Sequence, residues 1–215
     1  MDDDDPREDP YAEIWRNLEL SPEKTAEWDR RRKAAGDLFA ELTSAPPARQ
    51  AGLVRQERFQ NLDLLELLLE SSQDAQLADP ARGEDLSHLA GRLAVILSED
   101  EAEAAAALPR AFCLGANARR LRQDVTGADA MLAKAAPFLE FSGERAQYSR
   151  VAALVRWEQG RADEADALLR NAIRLFAEEG PVPEEACCQG LLGLLQMEQR
   201  GLGDPLPALL DGWVE

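Results

Sequence analysis

The octet ADAMLAKA at 128–135 returns as ADALLRNA at 165–172, 37 residues further on. Ala128/Ala165, Asp129/Asp166, Ala130/Ala167, Leu132/Leu169 and Ala135/Ala172 are identical pairs. The match runs past the octet, because Arg119 falls on Arg156 and Gly143 on Gly180. A unit of this length that recurs, rich in Ala and Leu and punctuated by Gly, marks helical hairpins stacked side by side. Unbranched side chains lose little rotamer freedom in a helix, and Val, Ile and Thr are sparse here. The chain reads as all-α.

Outward from the octets, two repeat units occupy about 110–143 and 147–180. A last pair covers about 184–200 and 205–214, with Gly201, Gly203 and Pro205 at its turn. Upstream, Asp79-Pro80 starts a helix that runs to about Leu97. The leucine-dense stretch from Leu62 to Leu77 is apolar nearly all round and calls for neighbours on every side. The segment Glu99–Ala107, limited by Pro109, reads either as a helix or as a long acidic connector. A short helix near 48–57 precedes these, and Ala45-Pro46-Pro47 breaks the chain before it. Earlier still, Ser21-Pro22-Glu23 opens a helix to about Leu42 with the apolar stripe Trp28, Ala35, Leu38, Phe39 and Leu42. Asp9-Pro10 opens a shorter one carrying Tyr11, Ile14, Trp15 and Leu18 on one face. The expected organisation is an acidic disordered tail at 1–9, a helical pair at 10–45 and a repeat domain at 46–215.

Lys and Arg number 24 against 41 Asp and Glu, a formal charge of −17. That balance opposes direct binding to nucleic acid or to anionic lipid, both of which need a basic face. Acidity of this size keeps a protein soluble and repels wrong partners; it also suits a face that meets a basic protein. The tract Arg30-Arg31-Arg32-Lys33 lies among Glu27, Asp29 and Asp37, as on a solvated, ion-paired helix face. Cys113, Cys187 and Cys188 sit in apolar helical surroundings, which suggests reduced thiols and a cytoplasmic protein. The opening MDDDDPREDP is the opposite of a signal peptide, and no apolar run approaches the ~20 residues that cross a bilayer. His88 is the single histidine, and it lies mid-helix between leucines. No HExxH, GxSxG, GxxxxGK or GxGxxG pattern occurs, so nothing implies an enzyme, a metal or a cofactor.

The clearest unit, AQYSRVAALVRWEQGRADEADALLRNAIRLFAEEG, resembles the tetratricopeptide-repeat (TPR) superfamily, whose units are two antiparallel helices of about 34 residues. Gly160 stands at its turn, where a left-handed backbone suits glycine. Ala165, Leu169 and Ala172 take the small–large–small places of the second helix, and Ala128, Leu132 and Ala135 take them one unit earlier. A looser unit shows Leu86, Ala90 and Leu93. Ser149 and Arg156 stand where the family carries Trp and Tyr, and the period is longer. The resemblance implies a right-handed solenoid of hairpins whose first helices line a concave groove. On this chain the groove positions are Arg110, Asn117 and Arg120 in one unit and Gln147, Arg150 and Trp157 in the next. Three arginines there would suit a carboxylate or an acidic segment of a partner protein, because guanidinium binds carboxylate bidentately. Members that grip a terminal carboxylate use a lysine where Cys113 stands. The competing reading pairs these arginines with the chain's own acids. The expected function is a non-enzymatic adaptor or scaffold. The other reading is an acidic inhibitor or antitoxin that occludes a basic, nucleic-acid-binding surface of its partner.

Overall fold

The computed structural model describes residues 22–141, 143–179 and 183–201. The expected acidic tail, the short helix after Pro10 and the segment 205–214 lie outside these residues. Among the described residues the chain is all-helical, with no strand. The helices are α1 (Pro22–Ser44), α2 (Pro47–Leu53), α3 (Leu62–Ala75), α4 (Pro80–Leu97) and α5 (Ala102–Leu121). They continue as α6 (Val125–Ala135), α7 (Arg145–Glu158), α8 (Ala162–Glu179) and α9 (Pro183–Gln199). Short 3-10 turns cover Glu57–Phe59 and Ala136–Phe141.

Side-chain caps fix several starts. The Asn61 side chain accepts from the Leu64 N–H, Asp79 from Arg82 and Asp124 from Gly127. Each such cap stabilises its helix by roughly 1 kcal/mol. From α3 onward every helix packs on the next, and α5 also touches α3 and α7. Three apolar clusters follow one another along the chain. The first joins Leu42 of α1, Val54, Phe59 and the leucines of α3 to Leu93 and Leu108. The break after Ala45 thus ends a helix without ending this core. Ala128, Leu132 and Ala135 of α6 sit in the second, with Cys113 of α5 and Val151 and Val155 of α7. Ala165, Leu169 and Ala172 of α8 sit in the third, with Ala153 of α7 and Cys188 and Leu195 of α9. The repeated octet is therefore core, and its small–large–small places are buried in both copies.

The same helical places recur in α4, one unit earlier. Counted from the first helical residue, Gly83, Glu84, Ser87 and Ala90 stand where α6 has Ala128, Asp129, Leu132 and Ala135. All four are buried. Glycine eases the close approach at the first of these places, since a Cβ on Gly83 would lie 3.2 Å from the Ser72 carbonyl oxygen, tighter than ordinary van der Waals contact. The Ser72 hydroxyl donates to the Gly83 carbonyl at 2.7 Å, closing the α3–α4 contact. The register through Leu86, Ala90 and Leu93 expected from sequence shares only Ala90 with this one.

Each acidic place also makes the same kind of contact. Glu84 accepts from Arg119 Nε at 2.9 Å and from Arg122, both at the end of α5. Asp129 accepts from Arg156 at the end of α7 at 2.7 Å. Asp166 accepts from Gln196 near the end of α9 at 3.2 Å. One carboxylate on each of α4, α6 and α8 thus bonds the following helix.

Three expectations are corrected. Pro109 does not stop a helix: α5 runs unbroken from Ala102 to Leu121 with Pro109 buried inside it. The missing N–H costs about 3 kcal/mol, which packing of α5 against α3, α4, α6 and α7 offsets. Trp28 is not part of the buried stripe; it is 51% exposed, with the Arg32 guanidinium 5.0 Å over its ring. Leu77 falls beyond α3 and is 89% exposed, so the enclosed face of that helix ends before it. The basic tract behaves as expected of a solvated face, since Arg30 to Lys33 are exposed and Arg31 pairs with Asp63 at 2.8 Å.

Candidate functional site

Arg110, Gln147 and Arg150 converge on one cavity of about 340 Å³. Its walls come from α3, α5, α7, α8 and α9, through Gln73, Leu114, Phe176 and Glu184 among others. Arg110 is held by Glu66 of α3 at 2.9 Å. Arg150 donates through Nε to the Gln147 side-chain oxygen at 3.1 Å. Among the described residues it makes no ion pair, which leaves its outer guanidinium nitrogens for a ligand. Their fork matches a carboxylate, and the half-buried setting strengthens such a pair over one in bulk water.

Asn117, Arg120 and Trp157 lie apart from that cavity, in a polar ladder across the same helices. Gln76 at the end of α3 is buried and donates to the Leu114 carbonyl at 2.9 Å. Its side-chain oxygen accepts from Asn117 at 2.5 Å, and Asn117 in turn accepts from Arg120 Nε at 3.0 Å. Arg120 then pairs with Glu158 of α7 at 2.6 Å. Trp157 donates its indole N–H to Glu198 of α9 at 2.5 Å. The six residues singled out from sequence therefore divide. Three line the cavity, and three are engaged in holding α3, α5, α7 and α9 in register.

Sequence reasoning missed Gln76, Glu66 and Glu198, the partners of those side chains. Each lies in a neighbouring helix 41–44 residues away from its partner. The only sequence trace of such pairs is a spacing somewhat longer than the repeat.

Of the three cysteines expected in apolar surroundings, Cys113 and Cys188 are buried, whereas Cys187 is exposed. Burial pushes Cys113 up to about 12, and it likewise pushes Cys188 up to about 11. Cys113 is thus a neutral, buried group packed between α5, α6 and α7. Ser149 is buried and accepts from Asn171 at 2.9 Å, a hydrogen bond that ties α7 to α8. Burial lowers His88 below the usual histidine range against the pull of Glu84. Among the described residues no group of three or more His, Cys, Asp or Glu side chains is placed to hold a metal ion. Among them, too, no helix is long and apolar enough to cross a membrane. No family model, curated protein or solved structure matches this chain.

Proposed function

We propose that this chain is a TPR-like adaptor, a right-handed stack of helical hairpins that takes an acidic segment of a partner protein. The observation that carries the reading is the convergence of Arg110, Gln147 and Arg150 on one cavity, with Arg150 free of ion pairs among the described residues. The stacked arrangement is supported by three serial apolar clusters that share α5 and α7, and by the recurring latch at Glu84, Asp129 and Asp166. Arg150 would supply the orientation, above a floor shaped by the buried Leu114 and Phe176. It acts by binding, without catalysis.

The test is a peptide array of acidic segments with apolar anchors, read with the full chain. Arg150→Glu should cost at least about tenfold in affinity, roughly 1.4 kcal/mol or more. Arg120→Glu, whose guanidinium already serves Glu158, should change affinity less. Binding that ignores Arg150→Glu would overturn the groove.

One observation favours the inhibitor reading as a second. Glu99, Asp100, Glu101 and Glu103 are all exposed around the start of α5, and none makes an ion pair among the described residues. A basic partner seated there would bind tightly at low salt and lose affinity steeply as salt rises.

A further inference from the structure

A second cavity, of about 600 Å³, is walled by α2, α4 and α6 with Phe112 of α5 beneath them. Its volume lies in the range of small-molecule sites. Two features set it apart from the rest of the surface. The first is its sign of charge. The chain holds 41 acids against 24 Lys and Arg, yet the lining carries Arg55, Arg92, Lys134 and His88 and no Asp or Glu. Among the described residues none of these three cations makes an ion pair, while Arg110, Arg119, Arg120, Arg122 and Arg156 all do. Three unneutralised cations brought to one rim repel one another, and an anion between them removes that repulsion.

The second feature is the floor. Val54 and Met131 are buried there, Ile96 and Phe112 are half-buried, and Val95 stands 54% exposed at the edge. Gly91 lies in the wall on α4, where an added Cβ would find only the Ala111 methyl, at 3.8 Å. An apolar floor below a cationic rim matches a ligand with one apolar and one anionic end.

We infer that this cavity binds a small organic anion with an apolar body, its carboxylate, phosphate or sulfonate held by Arg55, Arg92 and Lys134. The site shares no residue with the Arg150 cavity, only α5 in common, and stands independently of the adaptor reading.

His88 supplies the reporter, because it is the chain's one histidine and lines this cavity. The charged groups acting on its ring are Glu84, Asp85, Arg119 and Lys134. A bound anion adds a negative charge to that set and favours the protonated ring. The experiment titrates the full chain with anilinonaphthalene sulfonate, following dye fluorescence and the His88 ring resonances together. One saturable transition is expected in both, with the His88 titration midpoint moving up. Octanoate should displace the dye and octanol should not. Arg92→Glu combined with Lys134→Glu should weaken binding at least about tenfold. Gly91→Leu, which fills the cavity from its wall, should do the same, each variant being checked for an unchanged melting transition. Displacement by octanol as readily as by octanoate would overturn the anionic part of the inference. Displacement by an oligoglutamate peptide but not by octanoate would reassign the cavity to a polypeptide. Unchanged dye affinity in the charge-reversed protein, or dye binding that leaves His88 unmoved, would overturn the site itself.

Discussion

The hairpins α5–α6 and α7–α8 are built on the same octet, and they differ where single residues differ. At the turn of the second hairpin Gly160 takes φ +73°, and the Arg161 N–H reaches back to the Arg156 carbonyl at 2.9 Å. The first hairpin makes the same turn: Asp124 N–H bonds the Arg119 carbonyl at 2.9 Å, but Gln123 occupies the left-handed place at φ +65°. A side chain there costs about 1–2 kcal/mol, so the fold holds the turn against the residue's own preference. Their second helices then diverge. Ala136 keeps helical dihedrals at φ −49° and ψ −43°, but Pro137 has no N–H to extend the helical ladder, and a 3-10 turn carries the chain to Phe141. The corresponding position in α8 is Arg174, and that helix continues to Glu179. What is shared is the buried triplet; what varies is punctuation. A repeat of this kind is defined by what must fit between helices, and its turns and ends are free to drift.

The comparison can be broken most directly at the shared core. Leu132→Ala and Leu169→Ala should each cost about 2–5 kcal/mol in urea denaturation, since both side chains are fully buried in their clusters. A loss under about 1 kcal/mol at Leu132 would show that the shorter α6 carries less of its unit than α8 does. The latches come next. Glu84→Gln should cost about 1–3 kcal/mol, because the carboxylate is buried between Arg119 and Arg122. Asp129→Asn should cost under about 1 kcal/mol, its side chain being 38% exposed beside Arg156. Equal losses would mean that burial does not grade the latches. At the turns the two hairpins should respond with opposite signs. Gly160→Ala is expected to destabilise by about 1 kcal/mol, whereas Gln123→Gly should stabilise by about 0.5–1 kcal/mol in thermal or urea melts.

The smallest effect is in acid. Hydrogen bonds from Arg170 first, and then Gln196, hold the Asp166 carboxyl below its ordinary range. Its folded value therefore lies under its unfolded one. The stability it contributes is present above the usual carboxylate range and is lost as pH falls through the folded value. Asp166→Asn should therefore lower stability slightly at neutral pH and flatten the acid limb below about pH 4, where the parent has lost the same contribution. An acid limb identical to that of the parent would remove this latch from the account.

Helix positions were legible where local chemistry punctuates them. Asp79-Pro80 marks the start of α4, Pro22 that of α1, and Gly160 the left-handed turn, each by a residue whose backbone needs admit few other conformations. The third copy of the repeat was hidden because Gly83, Glu84 and Ser87 replace the Ala, Asp and Leu of the later octets. Burial and charge are kept in different residue types, Ser87 is far smaller than the leucine of the later octets, and α5 lengthens the spacing. For the site, sequence alone placed Arg110, Gln147 and Arg150 together. It could not separate them from Asn117, Arg120 and Trp157, because that distinction depends on which acids and amides neighbouring helices bring within reach.

By itself the sequence determined that the chain is helical, where most helices begin and which octet is buried. These follow from backbone preferences and from apolar spacing along one stretch of chain. The tertiary structure alone decided that Pro109 lies within a helix, that Arg120 is given an ion pair and Arg150 none among the described residues, and that Arg55, Arg92 and Lys134 share a rim. Each of those depends on the distance between side chains far apart in the chain, and such distances are set only when the helices pack.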